Sequence, residues 1–249
     1  MGIRPGHNSL NVLTKKSGAC VTTRRTRFNN QYLKQYMKLK QVQPAHYVPL
    51  SPDDFIGPAQ HIARIFAAKA TRLRDSKDDH VKYVLTGQPG VGKTKLAEFF
   101  ANQLTGERIV RGQSFSVESI NGVNINVNVV RRWQANARYI PLTWTVKIIN
   151  ELDTCNQDAQ DLLLTFLDEL PGRSAVIGTS NLKLHELDER FHSRFQQFTV
   201  AQPAEDEISG LLTRFGVPKK TASQISFGSG FNVRAALLDA QTILDAQAV

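Results

Sequence analysis

Residues 87–94 read Gly-Gln-Pro-Gly-Val-Gly-Lys-Thr and fit the pattern G-x-x-x-x-G-K-[ST]. In this pattern, glycines let successive backbone N–H groups turn inward and form a nest for phosphate oxygens at the start of a helix. An apolar run at residues 81–85 precedes the segment and a helical pattern at 93–104 follows it, which is the context that the motif requires. We therefore predict that Lys93 contacts the β- and γ-phosphates of ATP and that Thr94 binds Mg²⁺. The predicted ATP-binding residues of this loop are Gly87, Gln88, Pro89, Gly90, Val91, Gly92, Lys93, Thr94 and Lys95.

Short apolar runs alternate with helical patterns from residue 51 onward. The predicted strands are 81–85, 108–110, 146–149, 175–177 and 198–200. The predicted helices between them are 62–75, 93–104, 125–133 and 156–170. This alternation favours an α/β domain over residues 51–202, with a parallel sheet flanked by helices. Only helical patterns follow, at 206–215, 219–226 and 232–246, so residues 203–249 are predicted to form a small all-helical domain.

The positive charge of the chain is concentrated in its first fifty residues. Nine of the 31 Lys and Arg residues precede Asp53, which is the first acidic residue, so this segment accounts for the formal net charge of +9. We predict that residues 1–50 form a basic arm. Three interpretations remain open: a disordered solubilising tail, contact with nucleic-acid phosphates, or docking on a protein partner. The candidate DNA contacts in the arm are Arg24, Arg25, Arg27, Lys34, Lys38 and Lys40.

Other features of the composition narrow the class of protein. The sequence has no apolar run near the ~20 residues that a membrane-spanning helix needs, and its start has no apolar signal-peptide core. Cys20 and Cys155 have neither metal-ligand spacing nor a disulfide framework, which favours a reducing compartment. We therefore expect a cytoplasmic protein that does not act on membranes. That its setting is bacterial, phage or plasmid is a separate hypothesis.

A second polar site is predicted where the run 146–149 ends in Asn150 and Glu151. In phosphate-loop ATPases a strand here ends in an acid that holds Mg²⁺, and in many of them a Glu follows. Asn150 can accept a hydrogen bond from a water of Mg²⁺ but brings no charge. Glu151 is the candidate general base for in-line attack of water on the γ-phosphate. The alternative for Glu151 is an acid at a helix start, which the helix dipole would stabilise.

At this point the residues resemble the AAA+ ATPases, in particular their clamp-loader clade, over residues 51–249. The resemblance implies that Asn181, within Thr-Ser-Asn at 179–181, is sensor 1 and positions the water or the γ-phosphate. Within residues 187–195, it implies that Arg194 is an arginine finger for a neighbour's ATP, with Arg190 as second choice and Phe195 replacing the family's Cys. Arg234, in Gly-Phe-Asn-Val-Arg at 230–234, resembles sensor 2. Phe55 and Ile56 resemble the segment that packs on adenine.

Each of these arginines has a structural alternative. Arg190 and Arg194 would then be ordinary surface residues of a helix, and Arg234 would pair with a carboxylate of the helical domain. The resemblance also places Arg131 and Arg132 on a helix that faces DNA in a central channel, where they would contact phosphates. The alternative for that pair is a solvated helix face.

Two departures from the clamp-loader pattern affect the functional prediction. The neutral Asn150 predicts slow hydrolysis, and the sequence ends after the helical lid without a collar domain, so we do not expect a self-sufficient clamp loader. We expect an oligomer, a ring or filament with five to seven subunits per turn, that binds ATP with Mg²⁺ at subunit interfaces and acts on DNA. Replication, recombination, transposition and helicase or clamp loading remain open. The alternatives are a remodeller recruited to a protein partner by the arm and a structural subunit with a degenerate ATP site.

Overall fold

The structure is a computed structural model that describes residues 43–107, 114–182 and 189–247. Its strands are β1 (His80–Thr86), β2 (Val117–Asn121), β3 (Thr145–Asn150), β4 (Ser174–Ser180) and β5 (Gln196–Thr199). The helices of the sheet region are α1 (Gly57–Leu73), α2 (Lys93–Thr105), α3 (Val127–Asn136), α4 (Gln157–Asp168) and α5 (Glu189–His192). The helices after the sheet are α6 (Glu205–Arg214), α7 (Lys219–Gly228) and α8 (Val233–Gln247). The predicted strand 108–110 and the basic candidates of the arm lie outside the described residues.

The five strands form one parallel sheet in the order β2-β3-β4-β1-β5. Apolar side chains cover both faces. On one face α1 and α2 pack through Phe66 and Phe100, whose ring centroids lie 4.7 Å apart. On the other face α3 and α4 pack through Trp133 and Phe166, at 5.8 Å. This parallel sheet, covered on both faces by helices, confirms the predicted α/β class.

Strand β2 was not predicted, because its sequence, Val-Glu-Ser-Ile-Asn, has no apolar run. It lies at the edge of the sheet, where polar side chains find partners on β3 and α3. The Glu118 carboxylate accepts hydrogen bonds from Lys147 Nζ at 2.8 Å and from Trp133 Nε1 at 3.0 Å. An edge strand can be stabilised in this way without an apolar pattern, which is why periodicity missed it.

The last three helices enclose a separate apolar cluster, as predicted for the small all-helical domain at residues 203–249, called the lid below. Ile208, Leu212 and Ala236 are fully buried there. Residues 43–50 also reach this cluster, since the rings of Tyr47 and Phe215 meet edge to face at 5.2 Å. The domain boundaries at 50 and 202 stay a prediction. Among the described helices, none is both long and apolar enough to cross a bilayer.

Candidate nucleotide site

The strand order brings the predicted polar segments to one edge of the sheet. The phosphate loop follows β1, Asn150 and Glu151 follow β3, and Asn181 follows β4, which lies between β1 and β3. Because all strands are parallel, their carboxyl ends open onto a common crevice where ligands bind in α/β sheets. A cleft of about 600 Å³ opens beside the loop, with Gly87, Gln88, Asn181 and Thr199 among its lining residues.

The phosphate loop has the backbone that its glycines predict. Gly87, Gly90 and Gly92 all have positive φ, at 148°, 81° and 99°. Gly92 is the left-handed N-cap of α2, so the helix begins at Lys93 with its first N–H groups directed at the loop. A β-carbon at Gly87 would collide with the carbonyl of Val200, which makes glycine necessary there. The loop is therefore a ready-made anion site at a helix start.

Lys93 lies inside this loop and is only 7% exposed. Its Nζ donates to the carbonyl oxygens of Gly87 and Gln88, at 2.8 and 2.9 Å, and to Asn181 Oδ1 at 2.9 Å. Burial lowers the pKa of Lys93, and the charge of Arg234 lowers it further, although Asp153 and Glu151 act in the opposite direction. The structure thus brings Lys93 and Asn181 together and places the charge of Arg234 close to them.

Asn150 and Thr94 also meet, as a shared metal site requires. Thr94 Oγ1 donates to Asn150 Oδ1 at 3.1 Å, and Asn150 Nδ2 donates to Ser119 Oγ at 2.9 Å. Hydroxyl and amide oxygens are hard donors that suit Mg²⁺, which keeps several waters and takes its other ligands from substrate phosphates. No cluster of three acidic, His or Cys side chains forms a metal site in the described part of the chain. The residues present therefore fit Mg²⁺ held with a nucleotide rather than by protein alone.

Glu151 has a left-handed backbone, with φ 55° and ψ 55°. Its N–H donates to Thr179 Oγ1 on β4 at 3.2 Å, and its carbonyl accepts from Thr154 Oγ1 at 2.7 Å. Gly122 packs so closely against this carbonyl that a β-carbon there would collide with it. A non-glycine residue in this region costs about 1–3 kcal/mol and is maintained by its surroundings. These contacts hold the Glu151 side chain exposed at the end of β3.

Asp153 acts electrostatically on Lys93 and was not predicted from the sequence. Its Oδ1 is buried and has no hydrogen-bond partner within the described residues. Its charge raises the pKa of Lys93 and, after the larger effect of burial, contributes to raising the pKa of Cys155 to about 12. The available signal was a second acid shortly after the neutral Asn150, in the sequence Asn-Glu-Leu-Asp.

The lid approaches the phosphate loop through Asn232, which was also missed. Asn232 Oδ1 caps α8 by accepting from the N–H of Ala235 at 3.1 Å. The same side chain occupies the space in which a β-carbon of Gly90 would lie. Arg234 follows on the first turn of α8, exposed and close enough to act on the pKa of Lys93. This placement is consistent with a lid arginine over the triphosphate.

Three further residues predicted to bind ATP have other contacts. The Phe55 ring is buried against Phe99 of α2, with centroids 5.4 Å apart. Ile56 is buried in the cluster of the lid. Lys95 forms an ion pair with Glu98 at 2.8 Å. That Phe55 and Ile56 contact adenine therefore stays a prediction.

Both candidate fingers carry ion pairs to helix α4. Arg194 donates from Nε to Asp168 Oδ1 at 2.9 Å and from Nη2 to Asp168 Oδ2 at 2.7 Å. Arg190 Nη1 donates to Asp161 Oδ1 at 2.6 Å. Both pairs are made with α4, and the role of Arg194 as a finger stays a prediction. Phe195, which replaces the expected Cys, is buried in the core.

The two candidate DNA contacts on α3 differ. Arg132 is paired with Glu118, the carboxylate that also holds Lys147. Arg131 is exposed, with no ion pair to any described residue. The guanidinium of Arg131 is therefore more accessible to a phosphate than that of Arg132.

Comparisons with known proteins agree with this geometry. Residues 83–202 match the family described as "ATPase family associated with various cellular activities (AAA)". A 78-residue stretch is 41% identical to the Holliday junction branch migration complex subunit RuvB of Mycoplasma genitalium, covering 30% of this chain and 23% of that protein.

The fold is similar to solved structures of RuvB from Thermotoga maritima. The P216G mutant superposes with a TM-score of 0.63 at 21% identity, over 80% of this chain and 66% of that one. The structure described as the Holliday junction branch migration motor superposes at 0.60 with 22% identity, over 80% and 65%. The chain thus spans just under two thirds of these relatives and less than a quarter of the curated one. Together with the phosphate loop and the sheet order, these matches show an AAA ATPase domain at residues 83–202 and the AAA+ core fold.

Proposed function

We propose that this chain binds ATP with Mg²⁺ and hydrolyses it slowly at the boundary between two copies of itself. The observation that carries the proposal is the meeting of Lys93, Thr94, Asn150 and Asn181 around the phosphate loop. These side chains reach one another from the ends of β1, β3 and β4, which is the arrangement expected for gripping a triphosphate.

Four residues have separate roles in the proposed hydrolysis. Lys93 leaves the carbonyl oxygens of Gly87 and Gln88 to bind the β- and γ-phosphates. The exposed Glu151 carboxylate accepts a proton from the attacking water, and Asn181 orients that water. Arg234 of the same subunit faces the γ-phosphate. Bound Mg²⁺ supplies neutralisation of the phosphate oxygens.

Two features support a slow reaction that needs a neighbour. Asn150 brings an amide where a carboxylate would add negative charge, so the affinity for Mg²⁺ is reduced. The resemblance to AAA+ ATPases implies that Arg194, which is paired with Asp168 of α4, stabilises the transition state in the adjoining subunit. An arginine supplied in this way raises the turnover of phosphate-loop enzymes by about 10³- to 10⁵-fold.

We further propose that the oligomer, a ring or filament of five to seven subunits per turn, acts on DNA in the bacterial cytoplasm or its phage and plasmid systems. The relatives named for branch migration at Holliday junctions support recombination. The basic charge of residues 1–50 and the exposed Arg131 support phosphate contacts. Replication, transposition and helicase or clamp loading remain alternatives, and the clamp-loader resemblance itself stays a prediction.

The test is ATP turnover at low salt with and without duplex or branched DNA. We expect stimulation by DNA that falls when residues 1–44 are deleted or when Arg131→Ala is introduced. Arg64→Ala is a control for loss of one positive charge, because Arg64 is an exposed arginine of α1 that is paired with Asp53. Absence of DNA binding at low salt would remove this part of the proposal while leaving the ATPase intact.

A second candidate function is favoured by Asn150, namely a structural subunit that holds ATP without hydrolysing it. Turnover that is measurable and abolished by Glu151→Gln excludes it. A third candidate, a remodeller of protein complexes, predicts turnover that responds to a protein partner bound by the arm and not to DNA.

A further inference from the structure

The guanidinium of Arg194 is held along one edge by a single carboxylate. Nε and Nη2 each donate to one oxygen of Asp168, at 2.9 and 2.7 Å, in the forked geometry of a bidentate pair. Nη1 donates to the carbonyl of Arg190 at 3.0 Å and to the Ser193 hydroxyl at 3.4 Å. A guanidinium has five N–H groups, and the second N–H of Nη2 points away from the carboxylate. That one N–H is the donor that Arg194 keeps for a further acceptor while the pair is intact.

The position of Asp168 is not explained by helix stability. Asp168 is the last residue of α4, where the helix dipole disfavours a negative charge. The hydrogen bonds from Arg194 nevertheless hold the pKa of Asp168 below its usual range, and Asp168 in turn raises the pKa of Arg194. An exposed ion pair adds little to folding. The acid at this helix end is better explained by what it does to Arg194.

The backbone that carries Arg194 is already anchored. Phe191 and Phe195 flank it, and both rings are buried in the same apolar cluster as Leu163 and Leu167 of α4. The N–H groups of Arg194 and Phe195 both donate to the carbonyl of Phe191, at 3.1 and 3.0 Å. Rotation about the long side chain is then the main freedom left to Arg194, and Asp168 restricts it.

From this geometry we propose that Asp168 is a positioning residue, which orients Arg194 of its own subunit toward the triphosphate bound by the neighbouring one. This inference rests on the proposed function of Arg194 as a finger. An arginine side chain has many rotamers, and restricting them before the neighbour arrives reduces the entropy lost on reaching the transition state. Asp168 touches no substrate and acts through Arg194.

The first test compares Asp168→Asn with Asp161→Asn. Asp161 lies on the same helix and accepts from Arg190 at 2.6 Å, so its replacement removes an equal charge from a similar ion pair. For Asp168→Asn we expect kcat to fall by about tenfold with KM for ATP little changed, because the contact that is misaligned acts mainly in the transition state. Asp161→Asn is expected to keep the wild-type rate, and Asp168→Glu to recover part of the loss.

The second test uses mixed oligomers. A Glu151→Gln subunit keeps an intact Arg194, and an Asp168→Asn subunit keeps an intact Glu151. In a mixture, some interfaces place Arg194 of a Glu151→Gln subunit against the ATP of an Asp168→Asn subunit. Such an interface has both an oriented Arg194 and an intact Glu151, so the mixture should turn over more ATP than the sum of the two separate proteins. A defect of Asp168→Asn confined to its own fold or its own site would give no such gain.

The outcomes distinguish the positioning role of Asp168 from the proposed role of Arg194 as a finger. If Arg194→Ala abolishes turnover and complements Glu151→Gln in mixtures, while Asp168→Asn behaves as wild type, the finger stands and the positioning role of Asp168 is refuted. If Arg194→Ala keeps the wild-type rate, both fail. If Asp161→Asn lowers kcat and Asp168→Asn does not, Arg190 is the finger and the inference is wrong.

Discussion

Replacing Asn150 by Asp tests the metal side of the proposed site most directly. Asn150 Oδ1 accepts from Thr94 Oγ1 at 3.1 Å, so a carboxylate at position 150 would lie beside the hydroxyl that we propose as a Mg²⁺ ligand. A unit negative charge about 4 Å from a divalent cation is attracted by about 8 kcal/mol at an effective dielectric constant of 20. Desolvation of the carboxylate offsets much of this attraction. If a net stabilisation of bound Mg²⁺ of about 1.4 kcal/mol is left after desolvation, the affinity for Mg²⁺ rises roughly tenfold.

The local structure accommodates the change. Asn150 Nδ2 donates to Ser119 Oγ, and the Ser119 hydroxyl can rotate to donate to the carboxylate instead. The assay is a Mg²⁺ titration at fixed ATP, followed both by turnover and by the fluorescence of a labelled nucleotide. We expect the Mg²⁺ midpoint to fall about tenfold by this reasoning and turnover to increase.

Asn156→Asp is the matched control, because it adds the same charge at an exposed N-cap where Asp serves as well as Asn. An unchanged Mg²⁺ midpoint together with an unchanged or lower rate for Asn150→Asp would refute the placement of the metal beside Asn150. Equal gains from both substitutions would show that added charge, and not its position, was responsible.

Three other predictions concern the core, the turn after β3 and the phosphate loop. Phe66→Ala should reduce the free energy of unfolding by about 3–5 kcal/mol, measured by urea denaturation, because this ring is fully buried between α1 and the sheet. Gly122→Ala should lower turnover while sparing ATP binding, because its methyl group would displace the carbonyl of Glu151; equal loss of both would contradict this. Since the pKa of Lys93 is lowered from 10.5, ATP affinity should begin to fall with rising pH before an ordinary lysine loses its proton. Arg234→Ala should move that fall to higher pH, because Arg234 helps to lower the pKa; a fall that stays in place would refute the coupling.

The sequence predicted the parts of the site that are continuous in the chain. The phosphate loop could be recognised because its glycines, lysine and threonine serve one local backbone geometry. Asn150 could be placed because it ends an apolar run, and Asn181 because the segment after the next apolar run resembles sensor 1 of the AAA+ ATPases. Parallel strands bring such ends together. The order of the strands and the contact of Asn181 with Lys93 needed the structure.

The missed features depend on contacts between distant segments. Strand β2 has no apolar run that would predict it. It is stabilised instead by the contacts of Glu118 with Lys147 of β3 and with residues of α3. Asn232 lies against Gly90 only because the lid folds back on the loop. The pairing of Arg194 with Asp168 joins residues 26 positions apart in sequence, and no periodicity signals it.

The three oxygens that accept hydrogen bonds from Lys93 have a consequence for nucleotide exchange at the proposed site. If ATP binds there as proposed, its phosphates compete with the carbonyls of Gly87 and Gln88 and with Asn181 Oδ1 for one ammonium group. Binding would then be an exchange of hydrogen-bond partners that also frees Asn181 Oδ1 at the end of β4. Release of the phosphates would let the same three oxygens bond to Lys93 again.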